Sequence, residues 1–421
     1  MSITTLQGGR KAAVCLGRGI RDLEVGKPGV AERLLTDIRE RTPALSARAA
    51  EMEAAGRMPT DVVDMLKAIG AFRLFVPQSH GGLELDLPTG LGIITALARV
   101  DGSVGWTAMI GNGGPLFANL LPRAIFDRVY RGGPDAVIAI VSQPAGTAEA
   151  TEGGWRVDGR WPFASGCLHA DWMAGICVMT EAGKRLAGPD GKGPLMRGFL
   201  MPASDWQIED TWRAAGLKAT ASHHITFHGK VVPAAHFFDL ADGAPCLPGP
   251  LYQTVREVLP LFHSAFATGV ARGALDELLA LAGTGRQQLH APTSMRESEL
   301  FQYELGQVAA DLRAAEALQQ CQAASHWRRA LAGTLRHEAV LAEAAQAGIW
   351  IATACLRVVD ACFALAGGSA VYETSPLQRR LRDMHVAAQH AMVQQRHYTG
   401  AGKLLLNPPL ADACPGRSPC D

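Results

Sequence analysis

Residues 159–166 read GRWPFASG and lie in a strand-rich stretch between two regions with helical patterns. From about residue 136 to residue 238 the chain is rich in β-branched and aromatic residues and closely punctuated by Gly and Pro. Such a pattern is typical of short strands joined by turns. The strand candidates are residues 137–141, 155–159, 174–179, 198–201 and 224–227. They predict a small β-domain in the middle of the chain.

The sequence on both sides of this stretch has the spacing of helices. Between residues 30 and 131, apolar side chains such as Leu34, Ile38 and Leu45 recur at the spacing of one helix face. Beyond residue 252, four long segments are rich in Ala, Leu, Glu, Arg and Gln. They cover residues 255–281, 298–331, 338–366 and 377–406. Long helices joined by short breaks predict an antiparallel four-helix bundle.

Together these patterns predict an α+β chain. We predict a flexible extension at residues 1–27, an N-terminal helical domain at 28–133, a β-domain at 134–245, a C-terminal four-helix bundle at 246–406 and a tail at 407–421. Binding sites favour the junctions between domains. We therefore expect a pocket between the β-domain and the bundle.

Composition argues against several classes of function. The chain holds 40 basic and 40 acidic side chains, whereas a nucleic-acid-binding protein normally carries a basic surplus. The nine cysteines are scattered and form no CxxC pair, which argues against a disulfide framework or a zinc site and fits a reducing cytoplasm. No apolar run reaches the roughly 18 residues of a membrane span, and no set of His and carboxylates has metal-ligand spacing. We expect a cytoplasmic protein without a metal.

Five short strings, in order, carry a resemblance to a known family. They are DGSVGW at residues 101–106, VSQPAG at 141–146, GRWPFASG at 159–166, GLKATAS at 216–222, and Gly367-Gly368 followed by Pro376 and Arg382-Asp383. In this order they resemble the acyl-CoA dehydrogenase superfamily over about residues 30–406. The resemblance implies that family's fold of helical domain, β-domain and four-helix bundle, assembled as a homotetramer.

The third string carries chemistry in this family. There an aromatic residue, an aliphatic residue and a Ser or Thr form a strand beside a flavin, and the hydroxyl lies close to the flavin N5 atom. Phe163, Ala164 and Ser165 match that pattern. The resemblance therefore implies that Ser165 contacts a flavin, whereas a buried strand serine by itself most often bonds to the backbone.

Three more residues lie in strings that border the flavin in relatives. Ser142 and Gln143 match the segment that crosses the flavin, so Ser142 either bonds to the flavin edge or is a turn residue before Pro144. Trp106, in the first string, lies either at the pocket wall or in the core.

The residues after Arg382-Asp383 depart from the dehydrogenases of this family. Those enzymes remove a substrate proton with a carboxylate that in many members follows the Arg-Asp pair by eight residues, where this chain has Ala391. One residue earlier stands His390. Flavin monooxygenases built on this scaffold are similar, with a His seven residues after the Asp or Asn. If residues 377–406 form one helix, Asp383 and His390 lie two turns apart on one face.

The resemblance implies the oxygenase component of a two-component flavin monooxygenase. In such systems reduced FMN or reduced FAD, supplied by a flavin reductase, reacts with O2 to give a flavin hydroperoxide that hydroxylates a small aromatic substrate. Forming the hydroperoxide needs a proton donor, and hydroxylating a phenol needs a base. A histidine, with a pKa of about 6.5, serves either need. We therefore predict His390 and Ser165 as catalytic residues.

Two further groups of residues are candidates for lining the substrate pocket and for binding the adenine side of the cofactor. Some aromatic hydroxylases of this group carry a His shortly after the first string, where this chain has GNGG at residues 111–114. Either Asn112 replaces that hydrogen-bonding group, or the glycines, Gly114 among them, enlarge the pocket. Arg286 and Gln302 match the residues that hold the adenine side of FAD, but the Phe-Gly pair between them is missing. FMN and loosely held FAD therefore both stay open.

Three alternatives stay open at this point. One is an acyl-CoA dehydrogenase or oxidase whose base has moved to Glu257 or Glu373. Another is an N- or S-oxygenase on the same scaffold, which uses the same oxidant. The third is a binding protein without flavin, against which Ser165 and His390 argue.

Overall fold

The described part of the chain begins with helices. The structure is a computed structural model that describes residues 28–189 and 191–407, so the extension predicted at 1–27 and the tail beyond residue 407 lie outside it. Six helices form the first domain: α1 (Pro28–Ala47), α2 (Ala49–Ala55), α3 (Thr60–Ile69), α4 (Leu87–Val100), α5 (Gly102–Ala118) and α6 (Arg123–Val129).

Aspartate caps begin the two central helices of this domain. Asp86 accepts the backbone N–H of Thr89 at 2.9 Å at the start of α4. Asp101 accepts those of Ser103 at 2.9 Å and Val104 at 3.1 Å at the start of α5. These bonds satisfy N–H groups that a helix leaves unpaired at its N-terminus. Helix α5 is buried along nearly its whole length and contacts β1, α7 and α10, so it touches all three domains.

The middle of the chain forms one sheet. Its strands are β1 (Ile138–Thr151), β2 (Gly154–Ala164), β3 (Trp172–Glu181), β4 (Lys184–Arg185), β5 (Met196–Pro202), β6 (Gln207–Glu209), β7 (His223–Val232) and β8 (Phe237–Phe238). Their order is β6-β7-β2-β1-β3-β5-β8, with β4 paired to β3. Strands β1 and β2 form an antiparallel hairpin, while β1 and β3 run parallel.

The sheet divides between β1 and β2. The two strands pair only from Gly146 and Gly159 to the hairpin turn. Beyond that point the first half of β1 pairs only with β3 and the end of β2 only with β7. We call this division the sheet opening, bounded by residues 138–145 and 160–164. Trp161 fills its base: the indole is fully buried, and its Nε1–H donates to the Ile176 carbonyl at 2.8 Å.

The C-terminal region is helical. Its helices are α7 (Leu259–Gly283), α8 (Glu299–Leu331), α9 (Glu338–Ala366), α10 (Pro376–Ala387) and α11 (Tyr398–Leu406). Helix α7 packs against α9 and α8 inside this region and against α4 of the first domain. The predicted order of helical domain, β-domain and helical C-terminal region is confirmed.

The fourth predicted helix, residues 377–406, is interrupted. Helix α10 ends at Ala387, two 3₁₀ turns follow at Ala391–Val393 and Gln395–His397, and α11 begins at Tyr398. The segment 388–397 contains no Gly or Pro, so no local breaker accounts for the interruption. His390 adopts an extended conformation (φ −63°, ψ 140°) and caps the first 3₁₀ turn. The prediction that Asp383 and His390 share one helix face is therefore wrong.

Helix α9 is unusually apolar. Among the described residues it is the one helix, with the turn that follows to Val371, that is long and apolar enough to cross a membrane, although the sequence was expected to hold no such stretch. Half of its most apolar window is buried. Because α9 packs against α7 and α8, we interpret it as the core helix of the bundle.

Candidate active site

Trp106 and Ser165 are joined directly. Trp106 lies on α5, Ser165 follows β2, and both are buried. The indole Nε1–H donates to Ser165 Oγ at 3.0 Å. From there a row of hydroxyls, the hydroxyl chain, continues from Ser165 to Ser222 Oγ at 2.7 Å and on to Thr220 Oγ1 at 2.7 Å. Trp106 therefore belongs to the site rather than only to the core.

Backbone contacts hold the segment that carries Ser222 and Thr220. The Leu217 N–H donates to Asp383 Oδ1 of α10 at 2.6 Å. Leu217 and Ala221 both have left-handed backbones, with φ of 49° and 46°. A Cβ at Gly216 would lie 2.2 Å from the Arg382 carbonyl oxygen, so only glycine allows this approach to α10. Residues 216–222 are therefore fixed between the sheet and α10.

His390 lies against Trp106 and a second histidine. Its ring centroid is 5.6 Å from that of Trp106 and 4.3 Å from that of His263, with His263 tilted by 32°. The Met392 N–H donates to His390 Nδ1 at 3.2 Å. A ring nitrogen that accepts a hydrogen bond carries no proton, so neutral His390 has its proton on Nε2. The structure thus brings three sequence-predicted residues, Trp106, Ser165 and His390, into one cluster.

His263 was not found from the sequence. It lies on α7, is 6% exposed, and its ring centroid is 5.5 Å from that of Trp106. The available signal was its position in the apolar run LPLFHSAF at residues 259–266, where a lone titratable side chain is unusual. Its ring makes no hydrogen bond to the described residues, unlike that of His390. We call His263 and His390 the imidazole pair.

Burial keeps the imidazole pair neutral near pH 7. Desolvation lowers the pKa of His390 to about 4. Desolvation, and secondly the neighbouring His390, lower the pKa of His263 well below its ordinary value. A buried group with no counter-ion disfavours its charged form. Each ring therefore offers one N–H donor and one acceptor nitrogen rather than a positive charge.

A small cavity borders this cluster. Its walls include Trp106, His263, Phe266, Ala352, Met384 and Val393. No carboxylate occurs among the described residues that line it. Glu257 is buried elsewhere and accepts the Thr254 hydroxyl, and Glu373 is exposed. The two relocated bases that a dehydrogenase would need are thus not found at this cavity.

The sheet opening presents groups that fit a flavin ring. Phe163 is 61% exposed although it is aromatic, and its φ of 68° is a left-handed value that costs energy for a residue with a side chain. Ser142 and Gln143 are exposed on the opposite side, where β1 shifts register against β3. Ser165 Oγ keeps an acceptor position that no described residue fills. An exposed ring beside polar groups suits a flat apolar ligand with polar edges.

Asn112 and Gly114 do not line the cavity. Asn112 is fully buried; its Oδ1 accepts the Leu74 N–H at 2.9 Å, and its Nδ2 donates to the carbonyls of Ala71 at 2.7 Å and Ala108 at 2.8 Å. Neither amide hydrogen is left for a substrate. A Cβ at Gly114 would lie 2.9 Å from the Ile138 side chain. Both residues therefore pack α5 against its neighbours, and the predicted pocket role is corrected for both.

Arg286 and Gln302 do not line the cavity: Arg286 lies in the loop between α7 and α8, and Gln302 lies in the first turn of α8. The Gln302 side chain is exposed and donates to the Arg296 carbonyl at 2.9 Å. Arg286 Nε is buried and has no hydrogen-bond partner among the described residues. The Arg286 Nε–H can therefore donate a hydrogen bond to an anionic group, whereas the Gln302 amide already donates to the nearby Arg296 carbonyl.

Family models match both helical parts of the chain. Residues 39–121 match the model described as "Acyl-CoA dehydrogenase, N-terminal domain", and residues 261–395 match "Acyl-CoA dehydrogenase, C-terminal domain". These matches confirm the family resemblance on which the sequence prediction rested.

Individual relatives include two proteins named as monooxygenases, one of them flavin-dependent, and a solved structure with FADH2 bound. The chain is 30% identical to an indole-3-acetate monooxygenase from Pseudomonas putida over 89% of its length and 92% of the relative. It is 26% identical to the oxygenase subunit HsaA of a flavin-dependent monooxygenase from Rhodococcus jostii, over 83% of the chain and 91% of the relative. A solved structure of XiaF from Streptomyces sp. in complex with FADH2 and glycerol superposes with a TM-score of 0.81 at 27% identity, covering 89% of this chain and 96% of XiaF.

Proposed function

Since this chain belongs to the acyl-CoA dehydrogenase superfamily, in the branch of flavin-dependent monooxygenase oxygenase components, we propose that the cavity beside Trp106, Ser165 and the imidazole pair is where it hydroxylates a small aromatic compound. The observation that carries the proposal is the direct contact of Trp106 with both Ser165 and His390. That contact joins the expected flavin-binding hydroxyl to the expected catalytic histidine.

The sheet opening is the proposed place of the flavin ring. Phe163 would lie against the apolar ring, the free acceptor position of Ser165 Oγ would face its N5–H group, and Ser142 and Gln143 would hold its polar edge. When bound, reduced flavin supplies the electrons that activate O2, of which one atom goes to the substrate and the other to water. A separate flavin reductase delivers the reduced flavin. Arg286, with its unpartnered Nε, is the proposed contact for a cofactor phosphate, which FMN and FAD share.

The two histidines have different proposed roles. His390 Nδ1 is occupied by the Met392 N–H, so neutral His390 can donate through Nε2 but has no free acceptor nitrogen. We assign it the position of a hydrogen-bond donor to the reacting oxygen. His263 makes no hydrogen bond to the described residues, so its ring is free to accept the O–H or N–H of a substrate. The role of base, which the sequence left to His390, is thereby proposed for His263.

The substrate is proposed to be an uncharged aromatic ring with one polar hydrogen. The cavity walls are Trp106, Phe266, Met384 and small apolar side chains, which suit a flat apolar molecule. The neutral imidazole pair provides polar contacts without charge, which suits a phenol or an indole better than a charged group.

Exposed apolar side chains on the bundle support a homotetramer. Large apolar residues with more than a third of their surface exposed lie along α8, on α9 and on the turn after α9: Leu300, Tyr303, Leu331, Trp350, Val371 and Tyr372. Contact with other chains in the proposed tetramer would cover these side chains. We propose a cytoplasmic homotetramer assembled through the bundle; light scattering during gel filtration gives its mass directly.

Product analysis under heavy-isotope oxygen gas tests the proposed reaction. The protein is mixed with a flavin reductase, NADH, flavin and a panel of phenols, indoles, amines, thiophenes and acyl-CoA thioesters. We expect one labelled oxygen atom in a hydroxylated phenol or indole. If the label appears only in an N-oxide or a sulfoxide, the protein is an N- or S-oxygenase and not a ring hydroxylase. Oxidation of an acyl-CoA without label would overturn the monooxygenase assignment of the site.

A further inference from the structure

We propose that Ser222 and Thr220 fix the direction of the Ser165 hydroxyl hydrogen, so that the site prefers reduced over oxidised flavin. The proposal rests on the proposed contact between Ser165 and flavin N5. Neither Ser222 nor Thr220 touches the flavin in this account. Both are positioning residues that act through Ser165.

The direction of the hydroxyl chain follows from counting hydrogens. At one end, the Trp106 indole N–H can only donate, so Ser165 Oγ accepts it. At the other end, Thr220 Oγ1 lies 2.8 Å from the Leu217 carbonyl oxygen, which can only accept, so Thr220 donates there. Each hydroxyl has one hydrogen. Ser222 must then donate to Thr220, and Ser165 must donate to Ser222.

The opposite direction makes one hydrogen bond fewer. If Thr220 donated to Ser222 and Ser222 to Ser165, the Ser165 hydrogen would have no acceptor among the described residues, and the Thr220–Leu217 bond would be lost. All three hydroxyl residues are nearly fully buried, Ser165 at 7%, Ser222 at 3% and Thr220 at 1% exposure. A buried hydroxyl left without a partner is costly. In the hydroxyl chain, each group therefore donates its hydrogen bond in the direction from Trp106 to Leu217.

In this direction Ser165 donates to Ser222, and toward the flavin it can only accept a hydrogen bond. Its hydrogen points to Ser222, one lone pair takes the indole N–H, and one lone pair remains. Reduced flavin carries a hydrogen on N5 and can donate to that lone pair. Oxidised flavin has no hydrogen on N5, so its N5 lone pair faces the lone pair of Ser165. A hydrogen bond can form only if the direction of the hydroxyl chain is reversed.

The size of the preference is that of one hydrogen bond. When oxidised flavin binds, the hydroxyl chain must reverse; the hydrogen bond from Thr220 to the Leu217 carbonyl is lost and one to N5 is gained. When reduced flavin binds, a hydrogen bond to Ser165 is gained and none is lost. A single neutral hydrogen bond changes an equilibrium constant by about five- to tenfold. We expect the hydroxyl chain to contribute a factor of that order to the ratio of the two dissociation constants.

Binding of both flavin states by matched variants tests the proposal. Oxidised FMN is titrated in air and reduced FMN anaerobically, each followed by tryptophan fluorescence and calorimetry. Ser222→Ala removes the acceptor of the Ser165 hydrogen. Thr220→Val releases the Ser222 hydrogen, and the Leu217 carbonyl keeps the Trp212 indole N–H at 3.0 Å. Thr226→Val is the matched control, because the Thr226 hydroxyl is buried and has no partner among the described residues.

We expect both hydroxyl-chain variants to reduce the preference for reduced FMN about five- to tenfold, chiefly by tighter binding of oxidised FMN. The midpoint potential of bound flavin falls in parallel, by about 30 mV for a tenfold change in a two-electron couple. Thr226→Val keeps the wild-type ratio. If both variants bind the two states in the wild-type ratio, the directed chain is refuted while the flavin site stands. If the wild-type protein binds neither state, the proposed function fails, and this inference with it.

Discussion

Replacing His390 by Asn is expected to remove part of the acid sensitivity of folding. The partly buried imidazole of His390 is neutral in the folded chain near pH 7, because desolvation lowers its pKa from 6.5 to about 4. In the unfolded chain the same ring takes up a proton near pH 6.5. Between these two values the unfolded state binds more protons, so stability falls as the pH falls through this window.

The structure sets the size of this effect. The full shift corresponds to about 3 kcal/mol, since one pKa unit is worth about 1.4 kcal/mol. The part of that effect that appears between pH 6.5 and pH 4.5 is about 2 kcal/mol. Asn suits this position because its Oδ1 can accept the Met392 N–H that His390 Nδ1 accepts at 3.2 Å. The substitution therefore removes the titration and keeps the cap.

Guanidinium unfolding at a series of pH values measures the difference. We expect the wild type to lose about 2 kcal/mol more than His390→Asn on going from pH 6.5 to pH 4.5. His337→Asn is the matched control: His337 also caps a helix, accepting the Ala339 N–H at 3.1 Å, but lies outside the imidazole pair. Parallel pH curves for wild type and His390→Asn would refute the claim that burial keeps His390 neutral.

Three other substitutions test separate contacts. Trp106→Phe keeps the ring against His390 but removes the N–H to Ser165, so the free energy of unfolding should fall by about 1 kcal/mol or more in unfolding titrations, the effect of one hydrogen bond; an unchanged free energy of unfolding would contradict that contact. His263→Phe keeps the packing and removes the acceptor nitrogen, so the rate of product formation should fall by roughly a hundredfold, the lower end for loss of an acid–base group, while hydrogen peroxide rises; an unchanged rate in this variant would return the base role to another residue. Gly216→Ala places a Cβ 2.2 Å from the Arg382 carbonyl, which should lower stability by about 2 kcal/mol or more in unfolding titrations; a wild-type midpoint would show that α10 and residues 216–222 are not held in close contact.

The sequence predicted well those features that depend on local pattern or on matched strings. The β-rich stretch, the flanking helices and the breaks after α7 and α9 all follow from periodicity and from Gly and Pro positions. Ser165 and His390 were found because they match strings of a family, and the structure places them in one cluster. Their roles in catalysis stay predictions.

The features that the sequence missed depend on long-range contacts. The interruption after α10 has no Gly or Pro, and it coincides with the packing of His390 between Trp106 and His263. His263 is 127 positions from His390 along the chain, so only the fold reveals the pair. Asn112 was one of two alternatives for the place where some related hydroxylases carry a hydrogen-bonding His, the other being a pocket enlarged by the glycines. The three bonds of Asn112 to backbone show instead that it fixes α5.

Reduced flavin bound beside Ser165 and the imidazole pair is proposed to react with oxygen under the control of His390. Stopped-flow mixing of the protein and reduced FMN, or reduced FAD, with oxygenated buffer measures this reaction. We expect a transient absorbance that belongs to neither reduced nor oxidised flavin, and its loss in His390→Ala. Reoxidation at the rate of free flavin with no transient, together with bleaching of bound oxidised FAD by an acyl-CoA, would refute the proposed function.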